Sequence, residues 1–359
     1  MRSTDVQPPS TRRLDAIGRA LDHLLSVDLT ARGVADALFE AARRQAAAAG
    51  DRSAAQPPSL VRTAALAVVG RLAASEPGAR VLLLTGFPSR SWLLEGLTET
   101  DGPVGAAVLA RVLEEALGAV PVVLTEARLV PYVAASVRAA GLITGSLEQA
   151  LASKPGPPSA AVAAVVPFAS AAGGDAPSAA RELLARVRPA AAIAVEMPGK
   201  AADGRYYNVS GREVPPHLVA DGDALFQEAR RRGVLTVGIG DGGNELGMGS
   251  IADAVEALLP EGRRVAARTP VDFCIAASIS NTGAFALAAA LAAEAGRPEV
   301  LDAIDVGRII ERCSDAGAVD GVSSRVDPMS DGVPVALNRA LWDLMRFAVR
   351  SGLRGWVKQ

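Results

Sequence analysis

Residues 233–249 read GVLTVGIGDGGNELGMG, an apolar run that passes directly into a glycine-rich loop. The first eight residues, GVLTVGIG, have the composition of a buried β-strand. A helical pattern, SIADAVEALL, follows the loop, and a further apolar strand, DFCIAAS, follows that helix. A strand, a loop and a helix in this order form the repeating unit of a parallel α/β sheet.

The same alternation of strands and helices extends through most of the chain. Fully apolar strands are typical of a parallel sheet that helices cover on both faces. We therefore predict a three-layer α/β fold with a mostly parallel sheet. The other predicted strands are VLLLTGF (81–87), PVVLTE (121–126), SAAVAAVVPF (159–168) and AAIAVEM (191–197).

The first 75 residues have a different texture. Apolar residues at helical spacing, such as Leu14, Ile17 and Leu21, predict a helix from about 11 to 48, and a second helical stretch covers 59–74. We predict a helical cap over 1–75, packed on an α/β catalytic domain over 76–359. Within the cap, residues 1–10 are predicted to be disordered and 51–59 to be a linker.

Composition excludes several classes of function. A formal net charge of −2 argues against a nucleic-acid-binding surface and gives no support for a basic membrane-binding patch. Two cysteines and two histidines are too few for a disulfide framework or a zinc site built from these residues. The N-terminus has no apolar signal segment, so we predict a cytoplasmic protein. The sequence leaves open whether it forms a homo-oligomer.

Four unusual stretches follow predicted strands. Ligands of parallel α/β sheets bind at the carboxyl ends of the strands, so we expect these stretches to form one site. They are TETDGP (98–103), EMPGKAADGRYYN (196–208), GIGDGGNELGMG (238–249) and SISNTG (278–283).

The glycine-rich loop does not suit a nucleotide. It fits G-x-G-x-x-G, but the acid expected about 20 residues further on is missing, and no Gly-Lys-Ser/Thr of a P-loop is present. Asp241 and Glu245 would repel a phosphate and attract an ammonium group or a divalent cation. The alternative is that Asp241 and Asn244 only cap turns, with glycine supplying positive φ.

The other stretches supply further candidates. Glu99 and Asp101 add acidic groups, although Thr100 or Asp101 could instead cap the helix that Pro103 opens. Arg205 has the planar, permanently charged side chain that binds carboxylates. Tyr206 is one of three tyrosines in the chain, and Asn281 either caps a helix or lines the site.

Together these stretches resemble the D-glutamate cyclase family, whose catalytic domain also occurs alone in bacterial proteins. GIGDGGNELGMG is the most specific of the matching segments, and PMSDGVP (328–334) departs from the family pattern. The other matching segments are LLLTGF (82–87), ETDGPVGAAVLARVLEEALG (99–118), DGRYYN (203–208), SISNTGAFALAAAL (278–291) and GAVDGVSS (317–324), with a fainter match at LLSVDLTARGV (24–34).

The resemblance implies a lyase that converts D-glutamate to 5-oxo-D-proline and water. On that basis, Glu245 or Asp241 receives the substrate ammonium and one of them acts as general base. Arg205 pairs with the α-carboxylate, Asp101 assists as an acid, and glycine amides face the oxyanion. The predicted substrate-binding residues are Glu99, Thr100, Gly102, Asp203, Arg205, Tyr206, Gly240, Gly242, Gly243, Asn244, Asn281 and Asp320.

Two alternatives and a metal-dependent variant remain open. In the variant, Asp101, Asp203, Asp241 and Glu245 hold Mg²⁺ or Mn²⁺, which polarises the γ-carboxylate. The first alternative is a metal-dependent phosphoryl-transfer enzyme or phosphatase. The second is a non-catalytic protein that binds an amino acid.

Overall fold

The computed structural model describes residues 10–49, 58–155 and 160–354. Its centre is a seven-stranded sheet in which every neighbouring pair of strands is parallel. In spatial order the strands are β3 (Ile143–Gly145), β4 (Val162–Pro167), β2 (Val120–Thr125), β1 (Arg80–Thr85), β5 (Ala191–Val195), β8 (Leu235–Gly240) and β9 (Phe273–Ala276). Helices surround the sheet, so the predicted three-layer α/β fold is confirmed.

The edge strand β3 was not predicted from the sequence. Its three residues, Ile-Thr-Gly, are too few to show a periodic pattern, and Ile143 is exposed. The strand forms because its backbone pairs in register with β4 from Ile143 opposite Val162 to Gly145 opposite Ala164.

The connecting helices follow the strands along the chain. They are α4 (Pro103–Leu117), α5 (Val130–Ala139), α6 (Leu147–Ala152), α7 (Ala176–Val187), α8 (Gly222–Arg231), α9 (Ala252–Leu258), α10 (Gly262–Val265), α11 (Ser280–Glu294), α12 (Val306–Asp315) and α13 (Val335–Arg354). Of these helices, only α4, α5, α7, α9 and α11 were predicted from the sequence. Two short antiparallel hairpins, β6 (Tyr206–Tyr207) with β7 (Glu213–Val214) and β10 (Met329–Ser330) with β11 (Val333–Pro334), extend from this frame. Neither hairpin was foreseen, because each strand has only two residues.

The alanine-rich composition allows two central helices to approach closely. Helix α11 is buried from Ser280 to Ala293 and packs against α4. A Cβ added at Gly105 of α4 would lie 2.7 Å from the Cβ of Ala284 and 2.9 Å from Asn281 Oδ1. Glycine is therefore required at this crossing, and the close approach brings the N-termini of α4 and α11 together at the site described below.

The helix predicted over 11–48 is two helices, α1 (Thr11–Ser26) and α2 (Ala35–Ala49), because the chain turns between them with Gly33 at φ 75°. Together with α3 (Leu60–Ala73) they share the hydrophobic core with the sheet. Helices α1 and α3 pack on α11, and α2 packs on β9. The predicted division at residue 75 stays a prediction. The predicted disorder of 1–10 and the predicted linker at 51–59 fall almost wholly outside the described residues.

Cys274 and Cys313 are buried free thiols, and a buried free cysteine packs as a small hydrophobic side chain. Within the described ranges, no helix is both long and apolar enough to cross a membrane.

Candidate active site

A cavity of about 530 Å³ opens beside the carboxyl ends of β1, β5 and β8, where ligands of parallel sheets bind. Six acidic side chains contribute to its lining. Five of them, which we call the acidic floor, are Glu99, Glu196, Asp241, Glu245 and Asp331, and a sixth, Glu213, lies apart on β7. The other lining residues come from the α1–α2 connection, the loop after β1, the β6–β7 hairpin and the segment that ends in β11.

The glycine-rich loop binds its own glutamate. The backbone N–H groups of Gly242 and Gly243 donate hydrogen bonds of 2.9 Å and 2.8 Å to the two carboxylate oxygens of Glu245. These two amides are therefore not free to stabilise a substrate oxyanion, and that prediction was wrong for them. The cause is the three-residue spacing, which lets the Glu245 side chain fold back over the turn.

The same contact explains the glycines. A Cβ at Gly240 would lie 2.6 Å from Glu245 Oε2, and one at Gly242 would lie 2.9 Å from Glu245 Oε1. Gly243 has φ +88°, and its added Cβ would come within 2.4 Å of Val255 on α9. The bare backbone makes room for a carboxylate of the chain itself, and Gly240, Gly242 and Gly243 lie behind the cavity wall.

Asp241 is the centre of the acidic floor. One carboxylate oxygen each of Asp101, Asp241 and Asp331 lie within 4.8 Å of one another, and the same holds for Glu196, Asp241 and Glu245. Asn244 also faces the cavity; its amide nitrogen donates to the Tyr207 carbonyl, while its buried Oδ1 has no partner among the described residues. Asp241 thus lies near Asp101 on one side and near Glu245 on the other.

Glu196 and Asp331 were missed as site residues. Both have positive φ, 45° and 49°, so their side chains leave the backbone in a direction different from that of residues with negative φ. The Ser280 hydroxyl donates a 2.6 Å hydrogen bond to Glu196 Oε2. The only sequence signal was their position: Glu196 begins one of the four unusual stretches, and Asp331 lies in the segment 328–334 that departs from the family pattern.

Arg32 enters the site from the N-terminal helical cap. It lies in the connection between α1 and α2, forms a 2.9 Å ion pair with Asp241, and donates to the Ser278 carbonyl. Asp241 is the main reason why the pKa of Arg32 lies above its ordinary value. The faint family match at 24–34 was the signal for this residue.

Asp101 lies behind the floor at the start of α11. Its carboxylate accepts hydrogen bonds from the backbone N–H groups of Ser280 and Asn281, at 3.0 Å and 2.7 Å. Asn281 Oδ1 in turn accepts from Gly102 N and Gly105 N, and its amide nitrogen donates to the Thr100 carbonyl. These hydrogen bonds connect the N-terminus of α4 with that of α11. The cavity lining does not include Thr100, Gly102 or Asn281, so the prediction that they contact the substrate is corrected.

Four other predicted residues lie elsewhere. The side chains of Asp203 and Arg205 are 50% and 61% exposed, and Arg205 pairs with Glu213 at 3.2 Å. Tyr206 is buried with its hydroxyl toward Asp221. Asp320 accepts from Ser323 N and Gly332 N, which shapes the segment that presents Asp331. None of the four lines the cavity, so Asp203 is also removed from the predicted metal-ligand set.

The floor carboxyls repel one another and are shielded from water. Burial and then the charge of Asp241 raise the pKa of Glu245 to about 7 and that of Asp101 to about 8. The pKa of Glu196 is raised by burial and by Glu245, and the pKa values of Glu99 and Asp331 are raised by desolvation and by neighbouring aspartates. The site therefore holds protonated acids near neutral pH.

These shifts predict a pH dependence of stability. Because the folded-state pKa values are raised, the folded protein binds more protons than the unfolded chain between about pH 4 and the folded values near 7 and 8. The free energy of unfolding should therefore fall as pH rises from 5 to 8. Thermal unfolding measures this, and Glu245→Gln should flatten the dependence while Glu182→Gln, an exposed change on α7, should not. A Tm that rises over this range would contradict the expected sign.

Comparison with known proteins identifies the family of the chain. Residues 21–346 match the family model described as D-glutamate cyclase-like, C-terminal. Over 217 residues the chain is 33% identical to human "D-glutamate cyclase, mitochondrial", a match that covers 59% of this chain and 32% of the human protein. The chain thus matches about a third of that relative, and the matched family region includes Arg32 as well as the acidic floor. The chain belongs to the D-glutamate cyclase-like family.

Proposed function

We propose that this protein is a lyase that converts D-glutamate to 5-oxo-D-proline and water at the acidic floor. The observation that carries the proposal is that Asp241 and Glu245 face one cavity among carboxyls with raised pKa values. Such a site attracts an ammonium group and can exchange protons with it near neutral pH. The name of the human relative, D-glutamate cyclase, supports the choice of substrate.

The reaction is an internal amide formation. The substrate nitrogen attacks the γ-carboxyl carbon, a C–N bond forms, and a C–O bond to one γ-oxygen breaks. The ammonium group carries three protons, of which one remains on the lactam nitrogen and two leave with the departing oxygen as water. The enzyme therefore has to move two protons between nitrogen and oxygen, and it needs no net acid or base.

Glu245 has the environment of the proton carrier. A pKa of about 7 lets it accept a proton from the ammonium group and return it to the leaving oxygen at neutral pH. Asp241, held by Arg32, supplies the charge that positions the ammonium. Glu196, Glu99 and Asp331 have raised pKa values and line the same cavity, so each can donate to the γ-carboxyl oxygen.

Arg32 stabilises the oxyanion, which the occupied amides of Gly242 and Gly243 cannot do. As the negative charge develops on the γ-oxygen, a guanidinium beside Asp241 stabilises it within a partly buried cavity. The remaining lowering of the activation barrier comes from holding the amine and the γ-carboxyl together, since correct positioning can contribute about 7–11 kcal/mol at most.

A divalent cation fits the floor chemically. The two oxygen sets around Asp241, with Asp101 and Asp331 or with Glu196 and Glu245, are the hard ligands that Mg²⁺ and Mn²⁺ prefer. Bound there, the ion would polarise the γ-carboxylate. If it is required, we expect exhaustive EDTA treatment to abolish turnover and added Mn²⁺ or Mg²⁺ to restore it. Full activity after metal removal would exclude this variant and leave the proton-transfer mechanism in place.

The proposed function is tested by incubating the full chain with D- and L-glutamate and separating 5-oxoproline by chiral chromatography. We expect 5-oxo-D-proline from the D-enantiomer. Stabilisation by D-glutamate in thermal unfolding without any product would instead identify an amino-acid-binding protein. Phosphate release from phosphorylated substrates would favour the phosphatase alternative, which the occupied glycine amides of the loop already disfavour.

A further inference from the structure

Three arginines line the cavity, and two of them also donate hydrogen bonds to other groups of the protein. Arg32 binds Asp241 and the Ser278 carbonyl, and Arg90 donates to Ser324 Oγ and the Gly321 carbonyl. The guanidinium of Arg212 has neither a hydrogen bond nor an ion pair within the described part of the chain. It lies over the ring of Trp92, 4.1 Å from its centroid.

Arg212 is nevertheless held in place. It stands in the connection between β6 and β7, where its backbone N–H donates to Asn208 Oδ1 and its carbonyl accepts from Asn208 N, both at 2.9 Å. Trp92 supports the side chain from the loop after β1 and also contacts Arg90 from 5.5 Å. A contact with the face of an aromatic ring uses no N–H donor, so the donors of Arg212 remain free for a ligand.

The free N–H donors of Arg212 are suited to binding a carboxylate. Its planar donors match the two oxygens of a carboxylate, and such charge-assisted pairs are the strong ones. In the proposed reaction the amine and the γ-carboxyl meet at the acidic floor, whereas the α-carboxylate keeps its charge throughout. Asp241 repels that charge and already pairs with Arg32, so we expect the α-carboxylate to face a cation elsewhere on the cavity wall.

We propose that Arg212, supported by Trp92, binds the α-carboxylate of the amino-acid substrate. This inference rests on the proposed function and gives Arg212 the role that the sequence had suggested for Arg205. The two arginines are seven positions apart on one hairpin. Arg205 is not among the lining residues of the cavity and is paired with Glu213, which makes it a matched control.

The test measures the binding of two ligands to the full chain. D-Glutamate carries the α-carboxylate, and 4-aminobutyrate is the same molecule without it. Arg212→Gln should weaken D-glutamate by about 10- to 100-fold, as expected for the loss of a charged hydrogen-bonded pair. It should leave 4-aminobutyrate unchanged within about twofold, and Arg205→Gln should change neither ligand. Arg212→Lys should retain part of the affinity, and thermal unfolding should show all variants folded.

Three results would overturn the inference. The first is equal weakening of both ligands by Arg212→Gln, which would assign Arg212 to the γ-carboxylate or to a structural role. The second is unchanged D-glutamate affinity, and the third is failure of the wild-type protein to bind D-glutamate. If D-glutamate binds through Arg212 but no 5-oxoproline forms, the proposed reaction fails while the binding role stands. If product forms and the KM of Arg212→Gln is unchanged, the proposed reaction stands while the binding role of Arg212 fails.

Discussion

Replacing Glu245 by glutamine is expected to lower kcat on D-glutamate by about 10²- to 10⁴-fold, the usual contribution of a positioned acid or base. Glutamine keeps the size of the side chain and an acceptor for one of the two loop amides, but it cannot carry the proton. The comparison is steady-state formation of 5-oxoproline by the wild-type and variant proteins. Glu182→Gln, an exposed change on α7, serves as the control for a lost carboxylate and should leave kcat unchanged.

The pH profile sharpens this prediction. With a pKa of about 7, Glu245 has to lose its proton before it can accept one, so kcat/KM of the wild type should rise as pH increases through 7. The residual activity of Glu245→Gln should lack this rise. A folded variant that retains turnover within about threefold, with an unchanged pH profile, would remove Glu245 from the mechanism.

Replacing Gly243 by alanine is expected to lower the free energy of unfolding by about 2–5 kcal/mol. Alanine at φ +88° is strained by about 1–2 kcal/mol, and its Cβ would lie 2.4 Å from Val255 Cγ1, an overpacking that costs about 1–3 kcal/mol more. Denaturant unfolding measures the change.

Gly204→Ala separates the two causes. Gly204 has a similar φ of +80° but no neighbouring heavy atom within 4 Å of an added Cβ. This control should therefore show the strain alone, and Gly243→Ala should be the more destabilised by the cost of the clash. Equal losses in the two variants would mean that α9 moves aside freely and that the loop is not tightly packed.

The sequence predicted the frame of the molecule better than the details of the site. Buried strands such as β1 and β8 carry their own signal, because an unbroken apolar run of that length is typical of a strand buried on both faces. Their order along the chain also implied that the loops after β1, β5, β8 and β9 would meet. Short elements such as β3 and the β6–β7 hairpin depend on pairing with distant residues, which a pattern within the segment cannot show.

The errors at the site have the same origin. Arg205 and Arg212 are equally basic and lie on one hairpin, and the sequence does not show that Arg212 and not Arg205 lines the cavity. Arg32 reaches Asp241 across 209 positions of sequence, so no local spacing points to it. The contact of Glu245 with Gly242 N was the exception, since a three-residue spacing is local and could have been recognised.

The central claim is that the acidic floor holds the amine of D-glutamate, and a crystal structure of Glu245→Gln soaked with D-glutamate tests it most directly. The account predicts the substrate nitrogen within about 3 Å of an Asp241 carboxylate oxygen, a hydrogen-bonded distance. D-Glutamate bound elsewhere on the protein, or bound in the cavity with its nitrogen turned away from Asp241, would contradict the account.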